Sequence, residues 1–271
     1  MNKRLLFIVP IIVVILGAIA VFMLQKNNAP GKIAKVISGA REAYLAQAQE
    51  YETKNDLLNA KATYQKMISE FPSAAEIMNW QRKTEDLNIR LLFSPISTPK
   101  STLYTIKPGD TLTKIAREFK TTIELIMKSN NLPSDKIIPG KKIKVSVAPF
   151  NIYVDKSQNI LILKNDDEII KTYTISTGTD NSTPVGTFKI VNKLVNPTWF
   201  KAGAVVPAGS AQNVLGTRWL GFDLAGYGIH GTTEPQSLGK QATQGCVRMA
   251  NAEVEELYAI VPVGTTVSIV D

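Results

Sequence analysis

Cysteine and histidine are almost missing from this chain: one of each occurs in 271 residues. A single thiol excludes any intrachain disulfide. One cysteine and one histidine also leave nothing from which to build the usual Cys/His metal cluster, so no metal and no cofactor is expected. Nor is there a concentrated basic tract. The formal charge is +8, but the lysines and arginines are scattered, which suits diffuse attraction to an acidic surface and not a nucleic-acid groove. Hydrophobic residues make up 44% of the chain, enough for one large core or several small ones and too many for wholesale disorder. A lone thiol outside the cytoplasm is open to oxidation, so Cys246 is either a buried small hydrophobe or a residue with chemistry to do.

After Lys3 and Arg4, the run from Leu5 to Leu24 carries no charge and is almost wholly apolar. At about 1.5 Å rise per residue it is long enough to cross a hydrocarbon core of about 30 Å. The positive flank makes residues 1–4 a cytoplasmic stub and places everything after Gln25 outside, as in a single-pass membrane protein. A cleaved signal peptide is the alternative, since Ala18-Ile19-Ala20 has the form of a cleavage site. The apolar run continues through Val21 to Leu24, which favours an uncleaved anchor.

Residues 31–93 are rich in Ala, Glu, Lys, Gln and Leu, with apolar positions at helical spacing, and three helices fit. Asn55-Asp56 announces the second, which ends before Phe71-Pro72. Ser73-Ala74-Ala75-Glu76 reads as a capping box for the third. The stretch Asp56 to Gln65 resembles half of a tetratricopeptide-like hairpin, and one such unit makes a stalk and not an array. Residues 94–101, with Pro95 and Pro99 among serine and threonine, read as an exposed hinge.

A small module follows at 102–147. Leu103–Ile106 is a strand, Lys107-Pro108-Gly109 a turn, and Asp110 the cap of a helix with Leu112, Ile115, Ala116 and Phe119 on one face. Thr121-Thr122-Ile123-Glu124 reads as a second capping box, Asn130 to Pro133 as its stop, and Lys142–Val145 as a closing strand. This βααβ order, with Tyr104–Leu112, Ser129–Leu132 and Ile138–Ile143, resembles the LysM domain. The resemblance implies binding of N-acetylglucosamine-containing glycans such as peptidoglycan. It places the contacts on Gly109, Asp110, Thr111 and Leu112 in one loop, and on Ile137, Ile138, Pro139 and Gly140 in another. The same residues also perform ordinary turn and cap chemistry.

From Phe150 to the end the pattern changes to short β-branched and aromatic runs parted by Asn, Asp and Gly. Asn151–Val154, Ile160–Lys164, Glu168–Ser176 and Gly186–Leu194 read as strands, with a hairpin turn at Asn165-Asp166-Asp167. A helix is expected after Asn251, with Val254, Leu257, Tyr258 and Val261 on one face, and a last strand at Thr265–Val270. Both unique residues lie here, in Gly228-Ile229-His230-Gly231-Thr232 and Thr243-Gln244-Gly245-Cys246-Val247-Arg248-Met249. An imidazole beside a thiol accepts its proton and holds the resulting ion pair. Glycine at 245 lets a backbone N–H approach a reacting carbonyl, and amides around Cys246 suit an oxyanion hole. Trp199 and Trp219 are read as core or wall aromatics with no role at the site.

These segments, together with Thr183–Phe188, Asn213–Trp219 and Ser237-Leu238-Gly239, resemble in order the L,D-transpeptidase catalytic domain over residues 150–271. The resemblance implies that Cys246 attacks a peptidoglycan stem tetrapeptide, expels D-alanine and passes the acyl group to an amine on another stem or on a wall protein. It makes His230 the base, Arg248 a positioning residue, and Gly231 and Gly245 backbone-shaping glycines. Thr243 stands where the family usually has serine. No acidic third partner for the histidine stands out, and a backbone carbonyl is expected to orient it. The whole chain thus reads as a multidomain protein. A membrane helix leads to a helical tetratricopeptide-like stalk, a small α+β LysM module and a mainly-β catalytic domain. A cysteine carboxypeptidase that releases the acyl-enzyme to water, and an inactive wall-binding scaffold, remain open.

Overall fold

The computed structural model describes residues 30–201 and 203–271. The segments expected as a cytoplasmic stub and a membrane helix, residues 1–4 and 5–24, lie outside the described residues. Among the described residues no helix is long and apolar enough to cross a membrane. The chain forms two compact units that divide between Gln81 and Arg82.

The first unit holds helices α1 (Pro30–Thr53) and α2 (Leu57–Glu70) and the first turn of α3 (Ile77–Leu92). The α1–α2 connection is tight because Asn55 takes a left-handed conformation, at φ 55°, and the Asp56 carboxylate accepts the Asn59 N–H at 3.3 Å as the cap of α2. Ala48, Leu57, Ala60, Tyr64 and Met67 are buried between the helices. Helix α3 starts later than the Ser73–Glu76 box implies, because backbone turns occupy that stretch: Ala74 N–H donates to Phe71 O and Ile77 N–H to Ala74 O.

The rest of α3 belongs to the second unit. Ile89, Leu92 and Phe93 pack into the main core, and Asn88 Nδ2 donates to the carbonyls of Ile169 and Ile170 at 3.1 and 3.0 Å. The expected hinge at 94–101 is therefore corrected to a tied strap. Lys144 Nζ donates to Leu91 O at 2.6 Å and to Ser94 O at 2.9 Å, and Lys100 Nζ donates to Asn165 O. A buried ammonium needs such acceptors, and a helix C-terminus supplies them along with its negative dipole end. Burial nonetheless pushes Lys144 down to about 8.

The small module is β1 (Ser101–Thr105), α4 (Leu112–Glu118), α5 (Ile123–Ser129) and β2 (Lys142–Ser146), the βααβ order expected. Strands β1 and β2 pair antiparallel, Ser101 opposite Ser146. The caps sit one residue later than the sequence suggests. Thr111 caps α4 through its hydroxyl and Thr122 caps α5, whereas Asp110 accepts the Lys107 N–H at 2.7 Å and the Tyr104 hydroxyl at 2.9 Å to close the turn before the helix. Thr122 also donates to the carbonyl of Ala259 in the following domain. Its hydroxyl thus serves both modules.

The last domain is mainly β. Its strands are β3 (Phe150–Asp155), β4 (Ile160–Asn165), β5 (Glu168–Thr174), β6 (Thr177–Gly178), β7 (Gly186–Val195), β8 (Trp199–Lys201), β9 (Ala204–Val206), β10 (Arg218–Phe222), β11 (Gly228–His230), β12 (Gln241–Thr243), β13 (Val247–Arg248) and β14 (Thr266–Val270), with helix α6 (Asn251–Ile260) before the last. Eight of them form one mixed sheet in the order β13-β11-β10-β7-β14-β3-β4-β5. Burial alternates strictly along β3 and β4, as a sheet with one covered face requires. Val254, Leu257 and Ile260 of α6 close the core over Ile152, Leu161, Ile229, Val247 and Val267. That packing fixes the edge of the sheet carrying β11 and β13.

Candidate active site

Strand β11 lies between β10 and β13. Its neighbours put Trp219 opposite His230 on one side and Arg248 beside His230 on the other. Alternate residues of a strand face the same way. Ile229 and Val247 are therefore both fully buried in the core, while His230 and Arg248 project from the other face and Cys246 sits in the bend that leads into β13.

His230 is only 3% exposed. Its Nδ1 lies 2.6 Å from Gly231 O, and a carbonyl can only accept, so the proton sits on Nδ1 and Nε2 keeps its lone pair. The Trp219 indole stacks on the imidazole at 6.1 Å between centroids and 18° between planes. Burial pushes His230 down to about 4; the Gly231 carbonyl opposes this and the Arg248 charge adds to it. Burial pushes the Cys246 thiol up, and a hydrogen bond from the Gly228 backbone and the Arg248 charge only partly restore it. The resting pair is a neutral thiol with a neutral imidazole. Such a pair ionises when the sulfur attacks, with the histidine acting as base in that step.

The loop carrying Cys246 is held by Thr243. Its hydroxyl donates to Cys246 O at 2.7 Å and accepts the Gly245 N–H at 3.2 Å. The Gly245 N–H is thus committed within the loop. Glycine is still required at 245: φ is +118°, and a Cβ there would stand 2.7 Å from Tyr227 Cε1. Serine makes both Thr243 bonds equally well. We expect Thr243→Ser to keep acylation within about twofold and Thr243→Val, which loses both bonds, to cost about 1–3 kcal/mol of stability, measured by urea denaturation alongside acylation rates.

Arg248 is buried and uses Nη1 to donate to Glu234 Oε2 at 2.9 Å and Ser237 Oγ at 3.0 Å. Its Nε–H has no protein partner. Two cavities meet at Cys246. One, of about 280 Å³, is walled by Leu194, Pro197, Trp199, Phe200, Leu215 and Trp219. The other, of about 190 Å³, is lined by Val214, His230, Thr243, Gln244 and Arg248 and shares Trp199 and Leu215 with the first. Trp199 and Trp219 are thus wall aromatics, and against expectation the wall is that of the site. Glu234 and Asn251 were also missed. No sequence pattern marks Glu234, and Asn251 reads as nothing more than a helix start. Among the described residues no group of three or more His, Cys, Asp or Glu could hold a metal ion.

In the small module the two candidate glycan loops lie together, because Gly140 N–H donates to Ile106 O and Ile106 N–H to Lys141 O. Gly109 and Gly140 both have positive φ, 83° and 86°, and Ile138 and Pro139 are exposed on the surface with Thr111. Ile137 packs partly on the module's core. Leu112 is corrected: it is 1% exposed and belongs to that core, so its side chain cannot touch a glycan.

Residues 149–269 match the L,D-transpeptidase catalytic domain and residues 104–146 the LysM domain. The protein YkuD of Bacillus licheniformis is 37% identical over 175 residues, covering 62% of this chain and 98% of its own length. YkuD of Bacillus subtilis is 34% identical over 173 residues, 61% of this chain and 97% of its own. YqjB of the same organism is 42% identical over 126 residues, 44% and 70%. All three are named as L,D-transpeptidases. Fold, a thiol and an imidazole lining one cavity, and these likenesses define an acyl-transfer enzyme preceded by a LysM module. The chain belongs to the L,D-transpeptidase family.

Proposed function

We propose that this enzyme cross-links peptidoglycan through a thioester on Cys246. The observation that carries the reading is the placing of one thiol at the meeting point of two cavities, one of which it lines together with a histidine whose Nε2 keeps its lone pair. The sulfur attacks the stem carbonyl that precedes terminal D-alanine, and its proton passes to His230. The C–N bond then breaks, the alanine amine takes that proton, and the thioester remains. An acceptor amine attacks the thioester, gives a proton back through His230 and releases the sulfur. Arg248, which lines the smaller cavity and is held there by Glu234 and Ser237, positions the substrate or the cysteine loop. A stem peptide is the acceptor we favour, with a wall protein as the second case.

Gly109, Asp110 and Thr111, with Ile137 to Gly140, form the proposed glycan contact, which raises the local concentration of strands at the thiol. Residues 5–24 form the proposed single-pass anchor that holds the catalytic domain outside the cytoplasmic membrane. Incubating the purified chain with tetrapeptide muropeptides, with Cys246→Ala as control, and weighing the products tests this. Dimers that depend on Cys246 are expected. Tripeptide monomers alone would identify a carboxypeptidase, and glycan binding without turnover a scaffold.

A further inference from the structure

His230 has no acidic partner, and what stands in its place is a peptide bond. The Gly231 carbonyl that accepts its Nδ1–H belongs to the peptide unit joining Gly231 to Thr232. The N–H at the other end of that unit, on Thr232, donates to Asn251 Oδ1 at 3.0 Å. The same Oδ1 accepts the Thr217 N–H at 3.2 Å, and Asn251 Nδ2 donates to Thr232 O at 2.8 Å. Three hydrogen bonds thus fix the side-chain amide, two against the backbone leaving β11 and one against the residue before β10. The two glycines around it make room: a Cβ at Gly231 or Gly216 would stand 2.1 or 2.2 Å from Oδ1. Although Asn251 opens α6, its side chain makes no cap bond to that helix.

We propose that Asn251 is a positioning residue of the catalytic centre, acting on His230 through the Gly231–Thr232 peptide unit. The proposal rests on the roles given above to Cys246 and His230. A hydrogen bond drawn from one end of an amide enriches the oxygen at the other end, because each bond in a chain polarises the next. The carbonyl then holds the imidazolium more firmly once His230 has taken the thiol proton. An asparagine oxygen achieves this without burying a charge. The charged or titratable groups around the pair are Cys246 and Arg248 at β13, Glu234 bound to Arg248, and the Arg218–Glu255 pair of β10 and α6, 3.8 Å apart.

The test uses the full chain with Asn251→Ala and Asn251→Asp. It follows acylation of Cys246 by a tetrapeptide muropeptide from about pH 4 to about pH 9, with melting temperatures measured in parallel. Asn251→Ala is expected to lower kcat about tenfold at unchanged KM, as loss of a residue that orients a catalytic histidine does, and to move the acid limb to lower pH. Asn251→Asp keeps both acceptor bonds and adds a negative charge, so its acid limb moves to higher pH. Opposite shifts support the relay. Limbs that stay in place, with losses that follow melting temperature, reduce Asn251 to a structural residue and overturn it. Should Asn251→Ala not fold, the limb of Asn251→Asp decides alone. A wild-type chain that is not acylated would sink the proposed function itself, a result separate from failure of the relay.

Discussion

A His230→Gln enzyme is expected to acylate about 10²–10⁴-fold more slowly than the wild type at neutral pH. The reason lies in the thiol. Burial pushes Cys246 up, so little thiolate exists at neutral pH and attack depends on a base that removes the proton during the step. Glutamine occupies the space but cannot accept that proton. The deficit should narrow as pH rises, because hydroxide then forms the thiolate without help. Rapid-quench mass spectrometry of the acyl-enzyme across pH measures the ratio directly. A ratio that stays flat would mean that His230 orients the site without serving as its base.

The second large effect is on stability in acid. Unfolded, the imidazole protonates near its ordinary value of 6.5, whereas the buried one resists until about 4. Between those limits the unfolded chain binds more protons than the folded one, so stability falls as pH falls. The full window is worth about 3 kcal/mol. Glu85 and Glu253, whose carboxyls burial raises, act with the opposite sign, and other carboxylates titrate nearby. The clean quantity is therefore the difference between wild type and His230→Gln. Urea midpoints at pH 7 and near pH 4 should show the wild type losing more, and parallel losses would mean that the imidazole is already charged in the fold.

Much of this architecture is written in local pattern. The strict alternation in β3 and β4, the Asn55-Asp56 turn and the βααβ order of the small module all follow from neighbours in sequence. The motif residues Cys246, His230, Arg248, Thr243 and Gly245 fall at one site because β11 and β13 pair in parallel, which no local signal reveals. The short strands β8 to β13 escape periodicity for a related reason: two to five residues carry too little pattern, and they are strands only because distant partners receive them, the sheet edge for β10, β11 and β13, β6 for β12, and each other for β8 and β9. Caps at Thr111 and Thr122 in place of Asp110 and Thr121 are a choice between adjacent polar residues, decided in the first case by the turn that already uses Asp110, while the buried Thr121 hydroxyl has no partner. Asp110 is taken by Lys107 and Tyr104. The strap at 94–101 reads as a hinge until Lys144, distant in sequence, reaches its carbonyls. Glu234 and Asn251 matter through partners that sequence order does not bring near.

Lys144 and Thr122 each hold the LysM module to an element outside it, the first through the end of α3 and the second through Ala259. A module so fastened turns with the catalytic domain and does not swing on a tether. On the proposed glycan contact, the offset between those loops and Cys246 is then set by the fold, like the interval between teeth on a gear.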